Sequence, residues 1–321
     1  MSEEVIRELD ALNVTMNGGS TLLNVVLALV MFGVALGIKP ATFVDIIKNP
    51  KSIITGIACQ LILLPALTLT LIMAMGQWIS PMIALGMLLV ASCPGGNISN
   101  FITSLSRGNS ELSVSLTAFN TAVCVFTTPL NFAFWGNMYI NFAGKRDMVL
   151  PELQIPLSDV FVTIVVILGI PLILGILCSQ YLPKLATSLK KPMQYLSIAF
   201  FIAMVLIAFG GNFGVFIKCI RYIFLVVLVH NLLALGIGFG TSTLLKTPYK
   251  DRRTITIETG IQNSGLGLAL LLNPHIFNPE IWANNGGMLI ITAWWGVWHI
   301  VSGLTLAWLW RVRGRKEANE D

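Results

Sequence analysis

From about residue 18 to residue 310 the chain is a succession of apolar runs, each roughly twenty residues or longer, joined by short polar connections. Hydrocarbon offers no water to backbone N–H and C=O groups, so runs of this kind are restricted to helices or to a closed barrel. Barrel strands need only about ten residues, so these lengths specify helices. The runs fall near 18–38, 52–75, 80–106, 110–135, 156–180, 192–211, 217–244, 254–273 and 281–310. The expected fold is therefore an all-α polytopic membrane protein with nine transmembrane helices. Composition agrees: the 321 residues are 55% hydrophobic and 11% charged, with mean hydropathy +0.80, whereas soluble domains carry about 25% charged residues.

The basic residues follow topology rather than a nucleic-acid surface. If the N-terminus is outside, the outer segments hold Arg7, Lys145, Arg146, Lys218 and Arg221, and the other fifteen of the 20 Lys and Arg fall inside. Such a bias fits nine crossings, an outside N-terminus and a cytoplasmic C-terminus. The first seventeen residues, "MSEEVIRELDALNVTMN", are acidic and lack the basic start and apolar core of a cleavable signal. They read as an extracellular or periplasmic segment, 1–17. The expected location is a plasma membrane or bacterial inner membrane, with lipid as partner and no nucleic acid.

Two spans are interrupted. The third breaks at "CPGGN" (93–97), where proline removes a helix hydrogen bond and two glycines weaken the helix further. The eighth breaks near Gly260 to Gly265. Lying five apart, these spans cross the bilayer in opposite directions. Interrupted spans in matching positions of two halves point to an inverted-repeat transporter and to its binding site. Spans one to four then pair with six to nine.

Within the eighth span stands Glu258, an acid at a depth where translocon scales assign about +2.5 to +3.5 kcal/mol. No Lys or Arg lies at comparable depth in a span. The carboxyl is either protonated or neutralised by a cation from solution. Oxygen-bearing neighbours favour the cation, because hard cations take oxygen ligands. Thr259, Gln262 and Ser264 lie beside it, Ser99 and Asn100 follow the other break, and Ser113 and Thr117 share one helix face four residues apart. Gln60 is a lone amide in the apolar second span. The breaks also create two half-helix N-termini, near Gly95–Asn97 and Ile261–Asn263, whose partial positive charge suits an anion. Asn97 and Asn263 stand at these ends.

The motifs "CPGGNISN" (93–100), "RGNSELSVSLT" (107–117), "ETGIQNSG" (258–265) and "VWHIVSG" (297–303), in this order, resemble the bile acid:sodium symporter family over essentially the whole chain. The start at "NVVLALVMFGVALGIKP" is similar to that of the nine-span liver carrier. The resemblance implies a panel domain (18–39 and 156–211), a core domain (52–135 and 217–310) with two crossed broken helices, and a cytoplasmic tail (311–321). It further implies two sodium ions. One would be held by Ser99, Asn100, Ser113, Thr117 and Glu258. The other would be held by Gln60, Glu258, Gln262 and the carbonyls of Thr259 and Ile261. The substrate, an organic anion such as a bile acid or a small carboxylate, would lie near Asn97, Asn263 and His299. Ile300 follows His299 where some bacterial relatives carry a polar residue.

The expected activity is sodium-coupled import of organic anions by alternating access. Two alternatives remain open at this point: a proton-coupled anion carrier with Glu258 titrating, and metalloid efflux, for which Cys93 stands beside a broken helix. An enzyme is disfavoured, because HExxH, GxSxG and a midplane Asp pair are absent. The five cysteines form no CxxC pair and, Cys93 apart, read as buried hydrophobes. His230 reads as a helix-packing contact, and Trp294, Trp295 and Trp298 as interface anchors or lipid-facing bulk.

Overall fold

The structure, a computed structural model, describes residues 20–38, 50–96, 98–144, 165–210, 213–274, 276–277 and 285–320. Among these it is helical throughout, with one isolated antiparallel bridge between Gly95 and Gln262. We number the helices α1 (Ser20–Ala35), α2 (Pro50–Met75), α3 (Pro81–Ser92), α4 (Ile98–Leu105), α5 (Ser110–Gly144), α6 (Val165–Tyr181), α7 (Pro183–Gly210), α8 (Phe213–Leu244), α9 (Tyr249–Gly260), α10 (Ser264–Leu271) and α11 (Gly286–Glu320).

Five of these, α2, α5, α7, α8 and α11, are long and apolar enough over at least eighteen residues to cross a membrane. Helices α1, α3 and α6 are shorter but apolar. The polarity of the molecule is inverted relative to a water-soluble domain. Glu258, Gln262 and Asn231 are buried, while Phe134, Ile202 and Leu206 are more than half exposed. In hydrocarbon that arrangement satisfies both sets, because lipid solvates the apolar exterior and polar groups pair internally.

Both predicted breaks are present. The third span divides into α3 and α4 on either side of Cys93–Asn97, and the eighth into α9 and α10 on either side of Ile261–Asn263. Helices α1, α6 and α7 pack on one another. Helix α3 packs along α11 and α5, α9 along α8, and α10 along α11. Helix α7 touches α10 and α11, which joins the first group to the broken helices.

A third irregularity was not foreseen. Residues Cys59–Leu63 of α2 form a π-helical turn. Pro65 has no N–H with which to reach back to the carbonyl of Leu61 in α-helical register. The Asn131 side-chain amide of α5 donates to Leu61 O instead, at 3.0 Å. The widened turn carries Gln60 on its buried face, as π-bulges often do at functional sites.

Candidate ion and anion site

The two breaks are locked together. Gly96 N–H donates to Ile261 O at 3.0 Å, and Asn263 N–H donates to Pro94 O at 2.8 Å. The backbones come so close that a Cβ on Gly96 would stand 3.1 Å from Gln262 O, and one on Gly95 would stand 3.0 Å from Glu258 Oε2. A side chain at Gly96 would press on the facing backbone, and one at Gly95 on the Glu258 carboxyl. The other carbonyls loosened by the breaks are also met. Cys93 O accepts from Gln60 Nε2 at 2.9 Å, Thr259 O from Gln262 Nε2 at 2.7 Å, and Gly260 O from Asn231 Nδ2 at 2.8 Å. Buried backbone groups must be paired, and here three side-chain amides pair them.

Glu258, at the end of α9, points into a cluster of hydroxyls from α4 and α5. Ser99 Oγ–H donates to Oε1 at 2.6 Å, Ser113 Oγ–H donates to the same oxygen, and Thr117 Oγ1–H lies 3.0 Å from Oε2. The same hydroxyl oxygens crowd others. Ser113 Oγ is 2.8 Å and Thr117 Oγ1 3.3 Å from Asn100 Oδ1, Ser99 Oγ is 3.5 Å from Thr117 Oγ1, and Ser113 Oγ is 3.3 Å from Thr103 Oγ1. Each hydroxyl carries a single hydrogen. With Asn100 presenting its Oδ1, the four hydrogens of Ser99, Thr103, Ser113 and Thr117 cannot serve all seven of these oxygen–oxygen approaches. The cluster is an excess of lone pairs around a carboxylate, the donor chemistry of a hard cation.

A second oxygen group adjoins it. Gln60 Nε2 donates to Gln262 Oε1 at 2.6 Å, and Gln262 Nε2 lies 3.2 Å from Gln60 Oε1. With the carbonyls of Thr259 and Ile261 and with Glu258 next to them in sequence, every residue expected at the second ion position is in or beside this crossing. Each of those carbonyls keeps a second lone pair.

A cavity of about 660 Å³ opens beside the crossing. Its walls include α1, α4, α5 and α7, together with Gln262, Asn263, Ser264 and His299. Asn263 caps α10, its Oδ1 accepting from Leu266 N–H at 3.1 Å. His299 is 4% exposed, and its Nδ1 has no hydrogen-bond partner among the described residues. Asn97 lies outside the described residues, as does His275. Ile300 lines the cavity beside His299; Cys93 is fully buried and is not among the lining residues.

Several buried polar residues escaped the sequence reading. Asn231, in α8, joins Gly260 O to Ser302 of α11, whose hydroxyl donates to Asn231 Oδ1 at 2.5 Å. Asp251 is 6% exposed and accepts from Ser52 Oγ at 2.6 Å and from Asn109 Nδ2 at 2.8 Å. Arg253 donates to Ser106 O at 2.8 Å and stacks over the rings of Tyr249 and Trp310. His230 does pack between helices, its Nε2 lying 2.7 Å from Thr68 Oγ1 and its ring against Trp295. Trp295 is itself buried, 1% exposed, so it is a core residue rather than an interface anchor. Asn231, Asp251 and Arg253 had no sequence signal beyond being polar residues in or near an apolar run.

The sodium bile acid symporter family model matches residues 24–219. The chain belongs to this family. Members of the sodium bile acid symporter family with curated descriptions align over most of its length. The uncharacterized sodium-dependent transporter YocS of Bacillus subtilis is 30% identical over 298 residues, 93% of this chain and 85% of that protein. The ileal sodium/bile acid cotransporter of Cricetulus griseus is 30% identical over 77% of this chain and 68% of its own length. The sodium-dependent organic anion transporter of Rattus norvegicus is 28% identical over 92% and 75%. These relatives are transporters, not enzymes, and the chain is a helical membrane protein of a sodium-coupled family.

Proposed function

We propose that the protein imports organic anions by symport with two sodium ions. The observation that carries the reading is the surplus of oxygen lone pairs around Glu258. A cation among Ser99, Asn100, Ser113, Thr117 and Glu258 relieves it directly. A proton on Glu258 supplies only one more hydrogen to the same crowd, so proton coupling fits less well. The second ion would take the Gln60 and Gln262 side-chain oxygens, Glu258 and the carbonyls of Thr259 and Ile261.

With both cations in place the carboxylate is neutralised and the crossing is held fixed. The start of α10, with its partial positive charge, then borders the cavity as an anion site, with Asn263 and His299 beside it and Asn97 at the other break. We place nine crossings in the bilayer of a plasma or inner membrane, related as an inverted repeat of spans one to four and six to nine, with the N-terminus outside and the C-terminus in the cytoplasm. The mutual packing of α1, α6 and α7 supports their reading as the panel (18–39 and 156–211), which moves against the core (52–135 and 217–310) to expose the cavity alternately. Two sodium ions with a monovalent anion carry one net positive charge inward, to which the membrane potential contributes about 2.3 kcal/mol per 100 mV; with a divalent anion the cycle is electroneutral and the sodium gradient alone drives it.

The test is anion uptake into proteoliposomes under an imposed sodium gradient or an imposed proton gradient. Sodium drives uptake by the wild type, and Glu258→Gln loses it. Full sodium-dependent uptake by Glu258→Gln, or uptake that follows pH and ignores sodium, overturns the reading.

A further inference from the structure

The cavity has two polar ends. One is the crossing, where Asn263, Ser264 and Gly265 begin α10. The other lies along α7, where Lys190, Gln194 and Ser197 all line the cavity. At spacings of four and three residues they occupy one face of that helix. Lys190 is the one lysine or arginine among the described lining residues, and no carboxylate is among them. Its ammonium is placed against the end of α1: a Cβ on Gly37 would stand 4.0 Å from Lys190 Nζ. Helix C-termini carry partial negative charge, which holds the ammonium at the cavity rim without neutralising it.

The distance between the two ends can be read along α7. Phe201, on the same helix, meets the start of α10, because a Cβ on Gly265 would touch its ring at 3.4 Å. Lys190 is eleven residues earlier in the same helix, about 16 Å along the axis at 1.5 Å per residue. Between the ends the walls are mainly apolar, with Leu27, Val30, Met31 and Val34 from α1 and Ile198 from α7, interspersed with Ser197 of α7 and Thr117 and Thr121 of α5.

From this we infer that the preferred cargo is an elongated, mostly apolar anion bearing a second acidic group at its far end, which Lys190 receives with Gln194. The inference rests on the transport reading above and names the substrate class of the same cavity. A short carboxylate reaches the crossing alone and gains nothing from Lys190. A long monoanion fills the apolar walls but leaves the ammonium unmatched.

The experiment measures binding to the purified full-length protein in sodium, using dodecanedioate and its half-amide. The two differ by one charge at one end. The dianion binds more tightly by about fivefold, the size expected of a water-exposed ion pair. Lys190→Gln brings that ratio to about one, Lys190→Arg retains it, and Lys191→Gln, at a neighbouring position that does not line the cavity, leaves it at the wild-type value. Equal affinity of the two ligands for the wild type overturns the inference while leaving the transport reading intact. So does a preference that survives in Lys190→Gln. If neither ligand nor any other organic anion binds in a sodium-dependent way, the transport reading fails and the inference fails with it.

Discussion

Asn231 donates its side-chain amide to the backbone carbonyl of Gly260 at 2.8 Å, and the same side chain accepts from Ser302 at 2.5 Å. One buried amide thus ties α8 and α11 to the last residue of α9. The Gly260 carbonyl is thereby directed away from the crossing, while the carbonyls on either side of it, Thr259 and Ile261, stay within it.

Asn231→Ala leaves Gly260 O and the Ser302 hydroxyl without these partners. Leaving a buried group unpaired costs about 1–3 kcal/mol. We expect a lower melting temperature, and a rise in the sodium concentration giving half-maximal uptake, as the freed carbonyl disturbs the ion position next to it. A sodium titration of uptake checks this; an unchanged half-saturating concentration removes Asn231 from any part in ion binding.

Ser113 contributes an oxygen both to Glu258 and to Asn100. In Ser113→Ala the cluster loses one ligand of the proposed first ion while Ser99 and Thr117 remain. Sodium affinity is expected to fall about tenfold, equivalent to roughly 1.4 kcal/mol. Ser113→Thr, which keeps the oxygen, should lose less. Isothermal titration with sodium decides; equal affinities for the wild type and Ser113→Ala contradict the assignment.

The Asn131–Leu61 bond stands in for a backbone donor that Pro65 cannot supply. Asn131→Ala is therefore expected to cost about 1–3 kcal/mol of stability. The same change made on top of Pro65→Ala should cost less, because alanine restores an N–H near Leu61 O. A double-mutant cycle on thermal unfolding measures the difference. Strict additivity would show that the two residues are unconnected.

Asp251 collects Ser52 from the start of α2 and Asn109 from the turn before α5. Removing it as Asp251→Ala strands both donors in a buried site, with an expected loss of about 1–3 kcal/mol. Asp251→Asn retains one acceptor oxygen and should fall between the two. Thermal unfolding ranks the three proteins, and a wild-type melting temperature for Asp251→Ala would show the contacts to be energetically idle.

The helical architecture and both breaks were legible because they follow from local chemistry. Apolar length specifies a helix, and Pro94 with Gly95 and Gly96 interrupts one. Glu258 was legible because a charge in an apolar run has no bland explanation. Ser113 and Thr117 were found through their four-residue spacing. Asn231, Asn131 and Asp251 were not legible, since their partners lie 29 to 199 residues away and two of those partners are backbone carbonyls. An amide that answers a carbonyl leaves no pattern, because every residue has a carbonyl. The π-helical turn was hidden for a similar reason: Pro65 signals trouble in α2, but the remedy sits on α5. Trp295 was misplaced because tryptophan prefers membrane interfaces on average, and only packing around His230 shows that this one is interior.

The reciprocal bonds between Gly96 and Ile261, and between Asn263 and Pro94, make each interruption a structural part of the other. The third span leans on a carbonyl of the eighth, and the eighth on a carbonyl of the third. Unseating either segment strands amide groups of both in hydrocarbon, so the pair yields as one joint rather than as two independent hinges.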